Sequence, residues 1–458
     1  MILHRIKSEG LAHNSYLVGS QADAIVIDPR RDCQVYLDLA EQEGMRIRAV
    51  FETHRNEDYA IGSVELAHLT GAEVFHGPGL DWRYGTTLRD NQAFRVGKLR
   101  LTVLHTPGHT DESACYVVAD AGGAPHSLFT GDTLFVGDTG RIDLYGPEEA
   151  PRLAEDLHRN IFERLLPLGD GVVIYPGHSG GSVCGARISL REVSALGYER
   201  AHNPSLQRTD VADFVRHKLA EKLERPPYFL QMEKMNLEGP PLLEHLPVPP
   251  PLGPAEAKRE VERGAVVVDT SMPPSFAGAH IQGAYSLRLD ILPSYAGWVL
   301  PYDRPILLVL EDPLHRDRAV RSLIRLGYDN ILGHLRGGIP SWYEAGYHIE
   351  SNPVQTVEDL RNTQFTGGFT VLDVRTQEEW DEGHIEGAVH IPVGHLPHLL
   401  DKVPKDKPVC TVCGVGSRSG LAASILLRAD YGHVANVLGG MTAWRARDFP
   451  VKSEQREH

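Results

Sequence analysis

Cysteine is scarce in this chain: five among 458 residues, Cys33, Cys115, Cys184, Cys410 and Cys413. So sparse and odd a set builds no disulfide framework, and points to a reducing compartment, the cytoplasm. Long apolar runs are missing too; none approaches the roughly 20 residues of a membrane span. The start, MILHRIKSEGLAHNSYLV, lacks the basic head, apolar middle and small-residue cleavage site of a secretory signal. No basic patch with interleaved aromatics occurs. The 46 Lys and Arg against 61 Asp and Glu leave a net charge of −15. That balance argues against nucleic acid and anionic membranes as partners.

What remains is an ordinary globular composition, 41% hydrophobic and 23% charged, in a chain long enough for about three domains. NSYLV and DAIVIDP read as strands, with Gly19 and Ser20 as the turn between them. Helix-like segments (CQVYLDLAEQEG, GSVELAHLTG, EDLHRNIFERLLPLG) then alternate with strand-like ones (IRAVFETH, LRLTVLHTPGH), the pattern of a layered α/β architecture. A proline-rich linker, LEGPPLLEHLPVPPPLGP, covers 238–254. Beyond it lies an internal repeat. VVVDTSMPPSFAGAHIQGA (266–284) matches TVLDVRTQEEWDEGHIEGA (370–388), and LRGGIPSW, ending at Trp342, matches LGGMTAW, ending at Trp444. Each copy reads as a small parallel α/β fold. The expected units are 1–245, 252–350 and 353–458.

Three runs in the first unit each hold one good metal ligand: FETHRNEDYA has His54, HTPGHTDES has His109, and FTGDTLFVGDTGRIDL has Asp132. Two imidazoles and one carboxylate are the donor set of an open-sided non-haem Fe(II) site. These strings resemble the metallo-β-lactamase superfamily, and within it the persulfide dioxygenases. The resemblance implies an αββα sandwich and one Fe(II) per chain on His54, His109 and Asp132, with zinc as the alternative metal. It implies O2 and a low-molecular-weight thiol persulfide (glutathione, coenzyme A or similar) as substrates, and sulfite and thiol as products.

The superfamily string H-x-H-x-D-H here reads His54-Arg55-Asn56-Glu57-Asp58-Tyr59. It lacks two imidazoles that a dinuclear zinc hydrolase needs. Asp58 is expected to orient a ligand, or else to sit at a helix start. His178, at the place of a second-site ligand, is expected to be a hydrogen-bonding residue. Arg141 stands where the family binds the carboxylate of a thiol cofactor; a buried ion pair is the competing reading. Cys184 is expected to be a small buried residue, with substrate contact as the alternative.

The last unit carries Cys413-Gly414-Val415-Gly416-Ser417-Arg418-Ser419 between a strand, PVCTV, and a helical run, GLAASILLRA. A glycine-containing loop entering a helix aims backbone N–H groups at one point and favours a thiolate there. Gly414, Gly416, Ser417 and Ser419 would form the cradle, and Arg418 would add charge for sulfite or thiosulfate. With LDVRTQEEWDEGHIEGAVHIP (372–392), the loop resembles the rhodanese family, which implies two rhodanese-like α/β domains and a catalytic Cys413. Cys410 is expected to be packing, with a C-x-x-C redox pair as the alternative. In the first copy Leu310, Glu311 and Asp312 surround the nucleophile's place and Ser271 replaces Arg375, so that unit is expected to serve as a scaffold or a docking unit. The leading expectation is sulfide detoxification by persulfide oxidation coupled to sulfur transfer. A zinc thioester hydrolase of the glyoxalase II type with a sulfurtransferase tail, and a sulfur-sensing or binding protein, are the alternatives. The sequence leaves a homo-oligomer open.

Overall fold

The computed structural model describes residues 1–120, 122–364 and 368–453; 454–458, the end of the expected third unit, lie outside it. The chain forms two compact units, Met1–Leu246 with Ile324–Gly327, and Pro247–Leu323 with Tyr328–His458. Among the described residues no helix is long and apolar enough to cross a membrane.

The first unit holds two six-stranded sheets. One runs Ile2–Ser8, His13–Ser20, Asp23–Ile27, Arg46–Phe51, Glu73–His76, Thr86–Thr87. The other runs Ser194–Ala195, Val173–Pro176, Pro125–Gly131, Ala114–Ala119, Leu99–His105, Ala93–Val96. Side chains alternate across each strand. Tyr16, Val18, Ile25, Val103, Tyr116 and Phe129 therefore meet in one core between the sheets. Their neighbours face outward: Leu17 and Val26 pack with Tyr36, Ala40 and Leu66, which lie on the helices Gln34–Gln42 and Ser63–Thr70. Cys115 and Leu128 pack with Leu153, Ala154 and Leu157 of Ala150–Asn160 and with Phe214 of Val211–Leu219. The layers are helix, sheet, sheet, helix. Both faces of each sheet are covered, which is why DAIVI and ACYVVA read as nearly continuous apolar runs.

Two local expectations change. Gly19 and Ser20 are not the turn; both lie in the second strand, because Ser20 still pairs with Asp23. The chain reverses at Gln21 and Ala22, with Gln21 at φ 57°. The helix expected to continue to Gly169 instead ends its α-form at Asn160. It finishes as a π-turn, Ile161–Leu165, and a 3-10 turn, Leu166–Leu168, and Gly169 at φ 117° closes it.

The second unit contains two five-stranded parallel sheets of identical order. The first is Pro251–Leu252, Ile331–Leu335, Ile306–Val309, Val266–Asp269, Tyr285–Ser286. The second is Val354–Gln355, Val434–Val437, Val409–Val412, Thr370–Asp373, Val389–His390. The paired glycines of each GG-x3-W string, Gly337 and Gly338, Gly439 and Gly440, all have positive φ. They turn the chain sharply into a short helix that drops Trp342 or Trp444 into the core.

Candidate metal centre and sulfur-transfer loop

The metal-site strings fall where strands of the first unit end. His54 follows Arg46–Phe51, His109 follows Leu99–His105, Asp132 follows Pro125–Gly131, and His178 follows Val173–Pro176. Close approach demands glycine at two places. A Cβ on Gly108 (φ 149°) would lie 2.6 Å from Leu157, and one on Gly177 would lie 2.7 Å from the Asp132 carboxylate.

The structure brings His54, His109 and Asp132 together, all buried. Asp132 Oδ2 is 3.9 Å from His54 Nε2 and 3.8 Å from His109 Nε2. Glu57, which the sequence reading passed over, enters the same space. Its Oε1 is 3.4 Å from His109 Nε2 and its Oε2 is 3.7 Å from His54 Nε2. Donors held on one ion by bonds of about 2.1 Å stand roughly 3–4 Å apart, so these spacings fit a single metal. His54 Nε2, His109 Nε2 and Glu57 Oε2 are buried and make no hydrogen bond. Polar atoms in that condition are costly unless a cation completes them.

The far side of each ring fixes its tautomer. Thr53 Oγ1 donates its proton to Asp28 Oδ2 at 2.7 Å and so accepts from His54 Nδ1 at 2.9 Å. His109 Nδ1 donates to the Arg141 carbonyl at 3.0 Å. Both rings thus turn an Nε2 without a hydrogen-bond partner into the pocket, where a cation would meet it. His178 is different: Nδ1 donates to Asp132 Oδ1 and Nε2 to Asp58 Oδ2, each at 2.8 Å. Burial opposes its charge, but the carboxylates of Asp132 and Asp58 outweigh that and hold it well above the usual histidine range. His178 therefore steadies Asp132 and Asp58 steadies His178, while Asp58, His178 and Cys184 also stand close enough together to hold an ion. Asn56 donates its amide to the His54 carbonyl at 3.2 Å, and the Tyr59 ring stacks on His13.

Cys184 lines this pocket, its Sγ donating to Glu57 Oε1 at 3.6 Å. Burial, then the charge of Asp58, pushes the thiol well up, so it sits there neutral. Arg141 does not offer an open fork to a carboxylate. It is buried, paired with Asp143 at 2.6 and 2.8 Å, and donates to the carbonyls of Val183 and Glu224. The internal ion pair is what the structure contains, because two carbonyls and a carboxylate already fill the guanidinium's edge.

In the second unit Cys413 follows the strand Val409–Val412, and Ser417–Arg428 is the helix after it. Gly416 N–H donates to Cys413 Sγ at 3.1 Å, with Gly416 at φ 115° making the turn. Ser419 Oγ donates to Asn436 Oδ1 at 2.7 Å and stands 3.3 Å from the sulfur. Gly414 lies against Arg418, and Ser417 opens the helix. Arg418 departs from expectation: Glu379 grips it at 2.5 and 2.7 Å, so its charge is already matched. Cys410 packs in the core beside Gln355 Oε1, and burial pushes its thiol up to about 12. In the first copy, Val309 pairs with Asp269 as Val412 pairs with Asp373, which puts buried Leu310 at the place of Cys413.

Comparison with known proteins agrees with this layout. Residues 9–178 match the metallo-β-lactamase superfamily model, and 253–345 and 356–447 each match the rhodanese-like domain model. A metallo-β-lactamase structure from Staphylococcus aureus superposes with a TM-score of 0.65 at 30% identity, covering 73% of this chain and 98% of that one. The ETHE1 structure from Myxococcus xanthus gives a TM-score of 0.45 at 27% identity, over 52% of this chain and 99% of that one. A hydroxyacylglutathione hydrolase from Tolumonas auensis is 33% identical over 36% of this chain and 60% of its own length. The chain spans about three fifths of that hydrolase. It belongs to the metallo-β-lactamase superfamily. Two rhodanese-like domains follow the metallo-β-lactamase domain, whose fold and donor set point to a divalent metal.

Proposed function

We propose that the first unit is a mononuclear iron persulfide dioxygenase and that Cys413 carries sulfane sulfur in the same chain. The observation behind this reading is the unpartnered trio of His54 Nε2, His109 Nε2 and Glu57 Oε2 facing Asp132, with His178 committed elsewhere. Such a donor set suits one Fe(II), which when bound would supply the redox chemistry that joins O2 to a sulfur donor. The balanced conversion is RSSH, O2 and H2O to RSH and H2SO3. The chain's own residues hold the geometry. Thr53 and the Arg141 carbonyl hold the two imidazoles with Nε2 toward the pocket, His178 anchors Asp132, and burial of the whole cluster excludes bulk water. Cys413 then passes sulfur between a persulfide and sulfite, with thiosulfate as the product.

The identity with a hydroxyacylglutathione hydrolase supports a second reading, a zinc thioesterase. Asn56 and Tyr59, where the hydrolase string has imidazoles, weigh against it. Protein purified without oxygen is expected to hold about one iron and to consume O2 only when given persulfide. Asp132→Ala is expected to lose bound iron and to reduce uptake to background; normal uptake by that variant would end the assignment. Anaerobic thioester cleavage by zinc-loaded protein, with no persulfide-dependent uptake by the iron form, would favour the hydrolase instead.

A further inference from the structure

A loop that handles thiosulfate or sulfite needs a cation for the oxyanion, and the arginines of its own copy are engaged. Arg375 is buried on Asp373 and on the carbonyls of Glu379 and Gly383. Arg418 is forked to Glu379, and the Tyr295 hydroxyl also bonds to it. Tyr295 belongs to the cysteine-free copy, on its helix Leu292–Val299. That copy lies against the catalytic helix within the second unit. Ser286 N–H donates to Ser424 Oγ at 3.1 Å, and a Cβ on Gly420 would lie 3.0 Å from Pro273.

From the same face Arg288 reaches the start of that helix. Its Nη1 donates to Ser417 Oγ at 3.1 Å, four residues after Cys413, and a third of its side chain, 33%, is open to solvent. Its counter-ion, Asp290, is 3.1 Å away and 45% exposed. Exposed pairs of that kind are weak, so an incoming anion displaces Asp290 far more readily than it displaces Glu379 from Arg418. A planar guanidinium beside helix N–H groups suits the oxygens of a sulfur oxyanion.

We infer that the cysteine-free copy completes the Cys413 site: Arg288 binds the sulfonate end of thiosulfate, or sulfite, and presents its sulfur to the Cys413 loop. The inference rests on the sulfur-transfer reading of Cys413. In the step it assists, the Cys413 thiolate attacks the outer sulfur of thiosulfate. A new S–S bond forms, the old one breaks, and its electron pair leaves with sulfite; charge is conserved and no oxidant enters.

The test uses the full chain, with sulfur loaded on Cys413 followed by intact mass spectrometry and by thiosulfate-dependent turnover. Arg288→Ala is expected to raise the KM for thiosulfate about tenfold or more with little change in kcat. Arg288→Lys is expected to recover part of the loss. Loading from a simple alkyl persulfide, which carries no sulfonate, is expected to be unaffected by either change, which a merely structural role would not produce. Asp290→Asn, an exposed change, is expected to lower the thiosulfate KM a few-fold. Unchanged KM in both Arg288→Ala and Asp290→Asn, with wild-type loading intact, overturns the role of Arg288 alone. Failure of wild-type Cys413 to accept sulfur from any donor overturns the reading beneath it as well.

Discussion

The two rhodanese-like copies have one frame and different interiors at a single edge. Both sheets run in the same order, both bury a tryptophan behind paired glycines, and both end a central strand in an aspartate, Asp269 or Asp373. In the second copy Asp373 holds Arg375, which ties down the chain around Gly383. In the first, Ser271 stands at that place and its N–H reaches only Asp269 Oδ1, leaving Oδ2 buried without a hydrogen bond. Burial then pushes the Asp269 carboxyl up to about 6. Where Cys413 meets the N–H of Gly416, the first copy has Leu310 and then a 3-10 turn, Pro313–His315, before its helix. The fold is carried by the apolar strands and the tryptophan; the chemistry is carried by a few positions that the fold tolerates losing.

The sharpest way to break the comparison is to exchange those positions. Cys413→Ser is expected to abolish sulfur loading, and Leu310→Cys is expected not to create it, because no glycine turn delivers an N–H to that sulfur; mass spectrometry after thiosulfate treatment reads both. Next in size, Arg375→Ser gives the second copy the pairing of the first. It strands a buried carboxylate and is expected to cost about 3–5 kcal/mol, seen as a lower denaturant midpoint.

The smallest effect concerns pH. An acid whose folded pKa lies above its unfolded value near 3.8 favours folding fully below that value, and this contribution is lost as pH rises through about 6. Asp269→Asn is therefore expected to stabilise the chain above pH 6 by up to about 3 kcal/mol, and to leave stability near pH 4 unchanged. Melting temperatures at the two pH values decide it; equal shifts at both would mean Asp269 is charged in the fold at no penalty.

Much of this comparison was legible in the sequence. The repeat, the absent cysteine and Ser271 for Arg375 are all local strings, and local strings survive without coordinates. So was the set of strand-end residues that the structure brings together, His54, His109 and Asp132, since each is marked by flanking Gly or Thr. Glu57 was harder: it sits inside a string whose template assigns the metal to other letters, and only the turn after His54 swings its carboxylate beneath both imidazoles. Charge pairing was the weakest point. Arg418 and Glu379 are 39 residues apart, and Arg141 meets carbonyls 42 and 83 residues downstream. No pattern along the chain says which guanidinium is already engaged. The hairpin turn at Gln21 and Ala22 was missed because Gly19 and Ser20 have turn-like composition yet retain cross-strand partners.

Cys413 is almost wholly enclosed, 1% exposed, whereas Val415 at the tip of the same loop is 62% exposed. On the sulfur-carrier reading proposed above, an added sulfur would lengthen the side chain by only about 2 Å and would stay largely enclosed. On that reading, such enclosure would select recipients by girth, with thin oxyanions fitting more readily than a cysteine mounted on another folded protein.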